Sequence, residues 1–158
     1  MADELQEPKT GQQPRRVLTY GTFDVLHWGH INLLLRAKEL AFGGELIVAL
    51  SSDDFDKLKG KKTYHDYKTR FKMVSSIRFV DRIISERTWE QKLADVQELA
   101  VDCVVMGDDW ADDPRFAVLL GQCDLVFLPR TESISSTRIR EIIFAEEAGS
   151  AAPDVGRV

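Results

Sequence analysis

Cysteine is scarce in this chain. Cys103 and Cys123 are the only two in 158 residues, with no C-x-x-C and no nearby cysteine-histidine spacing. A disulfide framework and a zinc pattern are thereby disfavoured, and two reduced, buried thiols are expected. Long apolar runs are also missing; none approaches the roughly 20 residues that a membrane helix needs. The opening stretch MADELQEPKTGQQPRR is polar and has no apolar core, so it does not resemble a secretory signal, and a cytoplasmic location is expected. Positive charge is in deficit, 21 Lys and Arg against 26 Asp and Glu, for a net charge of -5. A nucleic-acid backbone selects a basic face, so nucleic acid is an unfavourable partner. A small anion is not excluded, provided that positive charge is concentrated locally to hold it. Histidine is rarer still, yet two of the three, His27 and His30, stand three residues apart.

What is present suits one soluble domain: 44% hydrophobic and 30% charged residues, in a chain long enough to bury a sizeable core. Residues 1–14 read as a disordered arm, 15–145 as the domain and 146–158 as a loose tail. Strand-like, β-branched runs occur at 17–20, 45–51, 82–85, 102–106 and 124–128. Helical patterns lie between them, around 31–38, 66–79, 113–121 and 135–144. Thr88-x-x-Gln91 has the spacing of a capping box that would open a helix reaching Leu99. The alternation predicts an α/β fold, a Rossmann-like doubly wound sheet of about five parallel strands with helices on both faces. Ligands of such sheets bind beyond the carboxyl ends of the strands, which directs attention to four loops.

The first loop is GTFDVLHWGH. Gly21 and Gly29 allow tight turning and close approach, while His27 and His30 share one face where a helix begins. There, free backbone N–H groups already favour an anion. Imidazole N–H groups make further donors, stronger if protonated. These histidines read as donors to a phosphate rather than as metal ligands or helix caps. The second loop gathers Lys57, Lys59, Lys61 and Lys62 around Gly60, the natural seat for negative charge in an acidic protein. The third, VVMGDDW, carries Asp108 and Asp109, which suit a base amino group, a sugar hydroxyl or Mg²⁺, or simply a capped turn. The fourth, LPRTESISSTRIRE, sets Thr131, Ser133, Ser135, Ser136 and Thr137 between Arg130 and the pair Arg138 and Arg140. Hydroxyls and arginines at a helix start make a phosphate cradle, and capping alone would need one serine.

GTFDVLHWGH and RTESISST, in this order, resemble the two signature loops of the cytidylyltransferase family, H-x-G-H and R-T-x-G-I-S-T-T. KKTYHDYKTR, IRFVD, WEQK and MGDDW extend the likeness over residues 16–143, towards the bacterial members that use glycerol 3-phosphate as acceptor. The resemblance implies attack of sn-glycerol 3-phosphate on the α-phosphorus of CTP, giving CDP-glycerol and pyrophosphate without a covalent enzyme intermediate. It further implies Mg²⁺ or another divalent cation with CTP, a homodimer with residues 77–81 near its interface, and a product used for polymers of the teichoic acid type.

By that resemblance His27, His30, Lys59 and Arg130 are the catalytic candidates. Thr22, Phe23, His27, His30, Lys61, Arg78, Asp109, Arg130, Thr131, Ser133, Ile134, Ser135, Ser136 and Thr137 are the CTP candidates. Lys59, Lys92, Asp24, Asp53 and Arg70 are the acceptor candidates, and no side chain is assigned to a metal. Two positions depart from the family pattern: Ser133 stands where glycine is usual, and Ser136 replaces threonine while keeping the hydroxyl. Phe42–Gly44 read as a small surface insertion. Ethanolamine phosphate or choline phosphate as acceptor, an adenylyltransferase, and a non-catalytic nucleotide-binding module are the competing expectations. Trp89, Trp110 and Tyr64 leave room for a cationic acceptor.

Overall fold

The computed structural model describes residues 11–132 and 134–149; Ser133, most of the N-terminal arm and most of the C-terminal tail lie outside them. Five strands form one parallel sheet: β1 (Arg16–Gly21), β2 (Glu45–Ser51), β3 (Arg82–Glu86), β4 (Cys103–Gly107) and β5 (Asp124–Leu128). Their spatial order is β3-β2-β1-β4-β5, so the chain starts in the middle, winds outward to β3, then crosses back to β4. A crevice for ligands is expected at that reversal, above β1 and β4. The pairing is uneven there. β1 pairs with β2 over six residue pairs but with β4 over only Val17↔Cys103 and Leu18↔Val104.

The sheet is buried on both faces because successive side chains alternate between two cores. Val17, Leu46, Val48 and Leu50 pack on one side with Leu34 and Ala37 of α1 (Trp28–Glu39) and Val74 of α3 (Tyr67–Ser75). Leu18, Tyr20, Ile47 and Ala49 face the other side, against Val96 of α4 (Lys92–Glu98) and Phe116 and Leu119 of a 3₁₀ segment. The last helix, α5 (Ser136–Glu147), begins where the sequence indicates and runs two residues into the segment read as tail.

Three local expectations are corrected. Asp53–Leu58 form a short helix, α2, where a loop was expected; Ser52 caps it by accepting a hydrogen bond from the Phe55 amide. Thr88 and Gln91 do exchange capping-box hydrogen bonds, but the helix starts only at Lys92, so the box closes a turn ahead of α4. The 113–121 segment is 3₁₀ rather than α-helical, over Pro114–Leu119. Residues 42–44 form a turn; the Gly44 backbone lies so close to that of Arg15 that a side chain there would collide with it.

Candidate active site

The β1-to-α1 loop is strained before it presents its histidines. Phe23 and Val25 both adopt left-handed backbone angles, φ 49° and 50°, an unusual state for a β-branched valine and one that clusters at functional sites. Phe23 is buried, and its ring leans on that of His30. At the start of α1 the two histidines lock one another. The Gly29 amide donates to His27 Nδ1 at 3.0 Å, and the His27 amide donates to His30 Nδ1 at 3.3 Å. They are therefore helix caps as well, which corrects the expectation that capping and presentation exclude each other. The capping decides the tautomer. A neutral ring whose Nδ1 accepts must carry its hydrogen on Nε2. Both Nε2 atoms converge on Ser136 Oγ, at 3.2 Å from His27 and 3.1 Å from His30, with the rings stacked 3.9 Å apart.

Burial and positive neighbours keep these rings neutral. Burial, with Arg130 nearby, lowers the pKa of His27. Burial, followed by His27 and Arg140, pushes His30 down to about 3. At neutral pH each ring thus offers one N–H donor and no charge. The expectation of protonated imidazoles does not apply to the empty pocket.

Around the pair opens a cavity of about 300 Å³ at the carboxyl ends of β1, β4 and β5. Thr22, Phe23, Asp24, His27, His30, Lys61, Asp109, Arg130, Thr131, Ile134, Ser136 and Thr137 all line it, so residues from all four loops meet in one place. Helix α1 holds the fourth loop against the first: Asn32 Nδ2 donates to Thr131 Oγ1 and Arg36 to the Pro129 carbonyl. Gly107 and Trp110 line the cavity beside Asp109. Lys61 reaches it with a pKa lowered by burial and then by Lys59. Ser135 is the N-cap of α5 and accepts from the Arg138 amide, so it shapes the cradle without lining it.

Arg36, Trp110 and Arg140 also line the cavity and were not assigned to the site from sequence. Helical spacing was the available signal: His30, Leu33 and Arg36 recur every third residue, and Arg140 lies one turn beyond Ser136. Of the two arginines closing the fourth loop, Arg138 is exposed, while Arg140 turns inward to Asp24 at 3.5 Å.

The acceptor candidates do not line the cavity, Asp24 excepted. They form a buried charged cluster next to it. Lys59 Nζ contacts Asp56 at 2.9 Å and Ser51 Oγ at 2.7 Å, and lies 3.4 Å from Thr22 Oγ1 on the cavity wall. Lys92 is 1% exposed; it pairs with Glu86 at 3.1 Å under the rings of Tyr20, Trp89 and Phe116. Arg70, with no exposed surface, donates to the Thr22, Ser51 and His65 carbonyls and pairs with Asp53 and Asp56. Asp24 accepts from the Tyr64 and His65 amides. Asp53 also accepts from the Tyr67 amide. Arg70, Asp53 and Asp24 therefore join loops to one another, a correction to their assignment as acceptor ligands. Arg78 is exposed on the turn before β3, at the amino ends of the strands, and does not reach the cavity of its own chain. Ser133 lies outside the described residues.

A crevice at the strand-order reversal, with paired imidazole donors and a hydroxyl-and-arginine loop facing them, is the architecture of a nucleotide-handling enzyme. The chain belongs to the cytidylyltransferase-like family of nucleotidyltransferases, whose model matches residues 18–142. It is 52% identical over 129 residues to glycerol-3-phosphate cytidylyltransferase of Bacillus subtilis strain 168, a match covering 82% of this chain and 97% of that one. The glycerol-3-phosphate cytidylyltransferase of Staphylococcus aureus is 48% identical over 134 residues, 85% of this chain and 98% of that one. Among solved structures, a lipopolysaccharide core biosynthesis protein from Thermoplasma volcanium superposes with a TM-score of 0.64 at 29% identity, over 76% of this chain and all of that one.

Proposed function

We propose that this protein transfers the cytidylyl group of CTP to sn-glycerol 3-phosphate, releasing pyrophosphate and forming CDP-glycerol. The observation that carries this is the convergence of two neutral Nε2–H donors on one point of the cavity floor, facing Arg130 and Thr131. Ser136 Oγ occupies that point in the empty protein, and a phosphate oxygen of CTP would take over the same donors. The cytosine end is assigned to Asp109 and Trp110, and the phosphates to His27, His30, Lys61, Arg130, Thr131, Ser136 and Thr137. Ser133 and the Ile134 backbone are assigned there by family resemblance.

An acceptor phosphate monoester is already ionised at neutral pH, so no strong base is needed. One of its oxygens attacks the α-phosphorus in line as the bond to the β-phosphate oxygen breaks. The protein contributes position and donors to the charge that gathers on departing pyrophosphate. The described residues contain no group of three His, Cys, Asp or Glu side chains placed to hold a metal ion. The Mg²⁺ implied by the family would therefore arrive with CTP rather than occupy a cage built by these side chains.

The acceptor phosphate is assigned to the cavity end where Thr22 separates Lys59 from Lys61, with Lys92 supporting Lys59 from behind. Trp89 favours glycerol over a cationic alcohol. The Arg115 guanidinium lies 3.6 Å from its ring centre, and Lys92 and Lys59 lie 5.0 and 5.9 Å away. With three of the chain's own cations around it, the ring is a poor seat for choline or ethanolamine. The deciding experiment measures pyrophosphate release with CTP or ATP, Mg²⁺, and a panel of glycerol 3-phosphate, ribitol 5-phosphate, ethanolamine phosphate and choline phosphate. Release with CTP and glycerol 3-phosphate is expected, and preference for another acceptor or for ATP would overturn the assignment. A cytoplasmic homodimer and a product destined for teichoic-acid-type polymers complete the proposal. In a dimer, Arg78 would be available to the CTP of the other copy, and sedimentation equilibrium tests the assembly.

A further inference from the structure

We infer that Glu86, at the carboxyl end of β3, is a positioning residue that sets Lys59 for the acceptor phosphate by way of Ser51; this rests on the assignment of Lys59 to that phosphate. The geometry forms a short chain of contacts. Glu86 Oε1 receives Lys92 Nζ at 3.1 Å, and Glu86 Oε2 receives the Ser51 hydroxyl at 2.6 Å. Ser51 Oγ in turn accepts from Lys59 Nζ at 2.7 Å. A carboxylate only accepts, so Ser51 must spend its single hydrogen on Glu86. Its lone pairs are then fixed towards Lys59. Glu86 itself lies 4.0 Å from Lys59 Nζ and acts mainly through the hydroxyl.

All members are buried, with Ser51 at 0% and Glu86 at 2% exposure, so water cannot replace a lost contact cheaply. Asp56, on the other side of the Lys59 ammonium, fixes it from α2. Two strands and one helix thus hold one cation against the Thr22 side of the cavity. Lys92 sits too deep to touch a ligand in that cavity, and its part is to hold the glutamate from beneath the aromatic rings.

Substituting Glu86→Gln keeps the shape, yet its amide can donate as well as accept, which frees the Ser51 hydroxyl to turn. The KM for glycerol 3-phosphate is expected to rise about tenfold or more while the KM for CTP changes less than about twofold. Ser51→Ala should reproduce the effect. The double variant should be no worse than the more affected single one, because both act on the same ammonium. Glu86→Asp, which keeps the charge, should recover part of the loss.

An acceptor KM unchanged in both E86Q and S51A, equal rises in both KM values, or additive effects would overturn the inference. If thermal melting shows that E86Q does not fold, S51A with its own two KM values decides. If the wild-type protein turns over CTP only with a different acceptor, the acceptor assignment fails with it. Normal wild-type turnover of glycerol 3-phosphate with unaltered variants defeats the Glu86 inference alone.

Discussion

Two histidines among arginines would be poor donors if they simply repelled the neighbouring charge. Here burial removes the problem by keeping both rings neutral, and reciprocal capping leaves one hydrogen on each Nε2. Removing either ring deletes a donor to the transition state, a loss of about 2.7–4 kcal/mol in comparable sites. His27→Ala and His30→Ala are expected to lower turnover about a hundredfold or more while circular dichroism stays native. The same burial has a cost in acid. The folded pKa of His30, about 3, lies below its ordinary 6.5. Between those values the unfolded chain binds a proton that the folded chain refuses, so stability is intact above pH 6.5 and lost as pH falls towards 3. The melting temperature of the ligand-free protein should therefore drop from pH 7 to pH 5, and His30→Asn should flatten that slope. CTP, which supplies negative charge, should oppose it. Sequence spacing revealed that these two residues belong to one site. It could not reveal that they cap each other, because that depends on ring orientation.

At the scale of elements, Arg70 shows how loops distant in sequence become one surface. From α3 it donates to the β1 loop at Thr22, to the end of β2 at Ser51, and to His65. Removing it leaves Asp56, 1% exposed, without its buried guanidinium partner, which costs about 3–5 kcal/mol when one member of a buried pair is deleted. Arg70→Ala should show that loss in urea unfolding and should weaken both substrates together, unlike the selective effect expected at Glu86. The strands were legible because short β-branched runs between helices admit few alternatives, and four loops at their carboxyl ends followed from the winding. Helix α2 was not, since its six residues carry acidic side chains and one buried aromatic, Phe55, too little for a period to emerge. The carboxylates that organise the lysines, Asp56 and Glu86, lie 30 positions apart in sequence. Charge clustering along the chain shows cations gathering but says nothing of which anions will meet them.

For the whole molecule, the deficit of positive charge is resolved by placement rather than by number. Arg36, Lys61, Arg130 and Arg140 all line one cavity of a chain with net charge -5. CTP should accordingly raise the melting temperature, by about 2.7 kcal/mol of stabilisation at a hundred times its dissociation constant. The gain should shrink as salt is added.

The two residue pairs that join β1 to β4 make the sheet a zip closed at the bottom and left open at the top. Its halves, β1-β2-β3 on one side and β4-β5 on the other, each carry one bank of the cavity, and little backbone stitches them where the nucleotide would lie. A bound triphosphate would thus act as the missing rungs of the ladder, fastening two half-sheets from above. Amide hydrogen exchange should register this directly. Protection should rise at Val105–Gly107 and at Thr19–Gly21 when CTP is added, far more than at Ile47–Ala49, where the stitching is already complete.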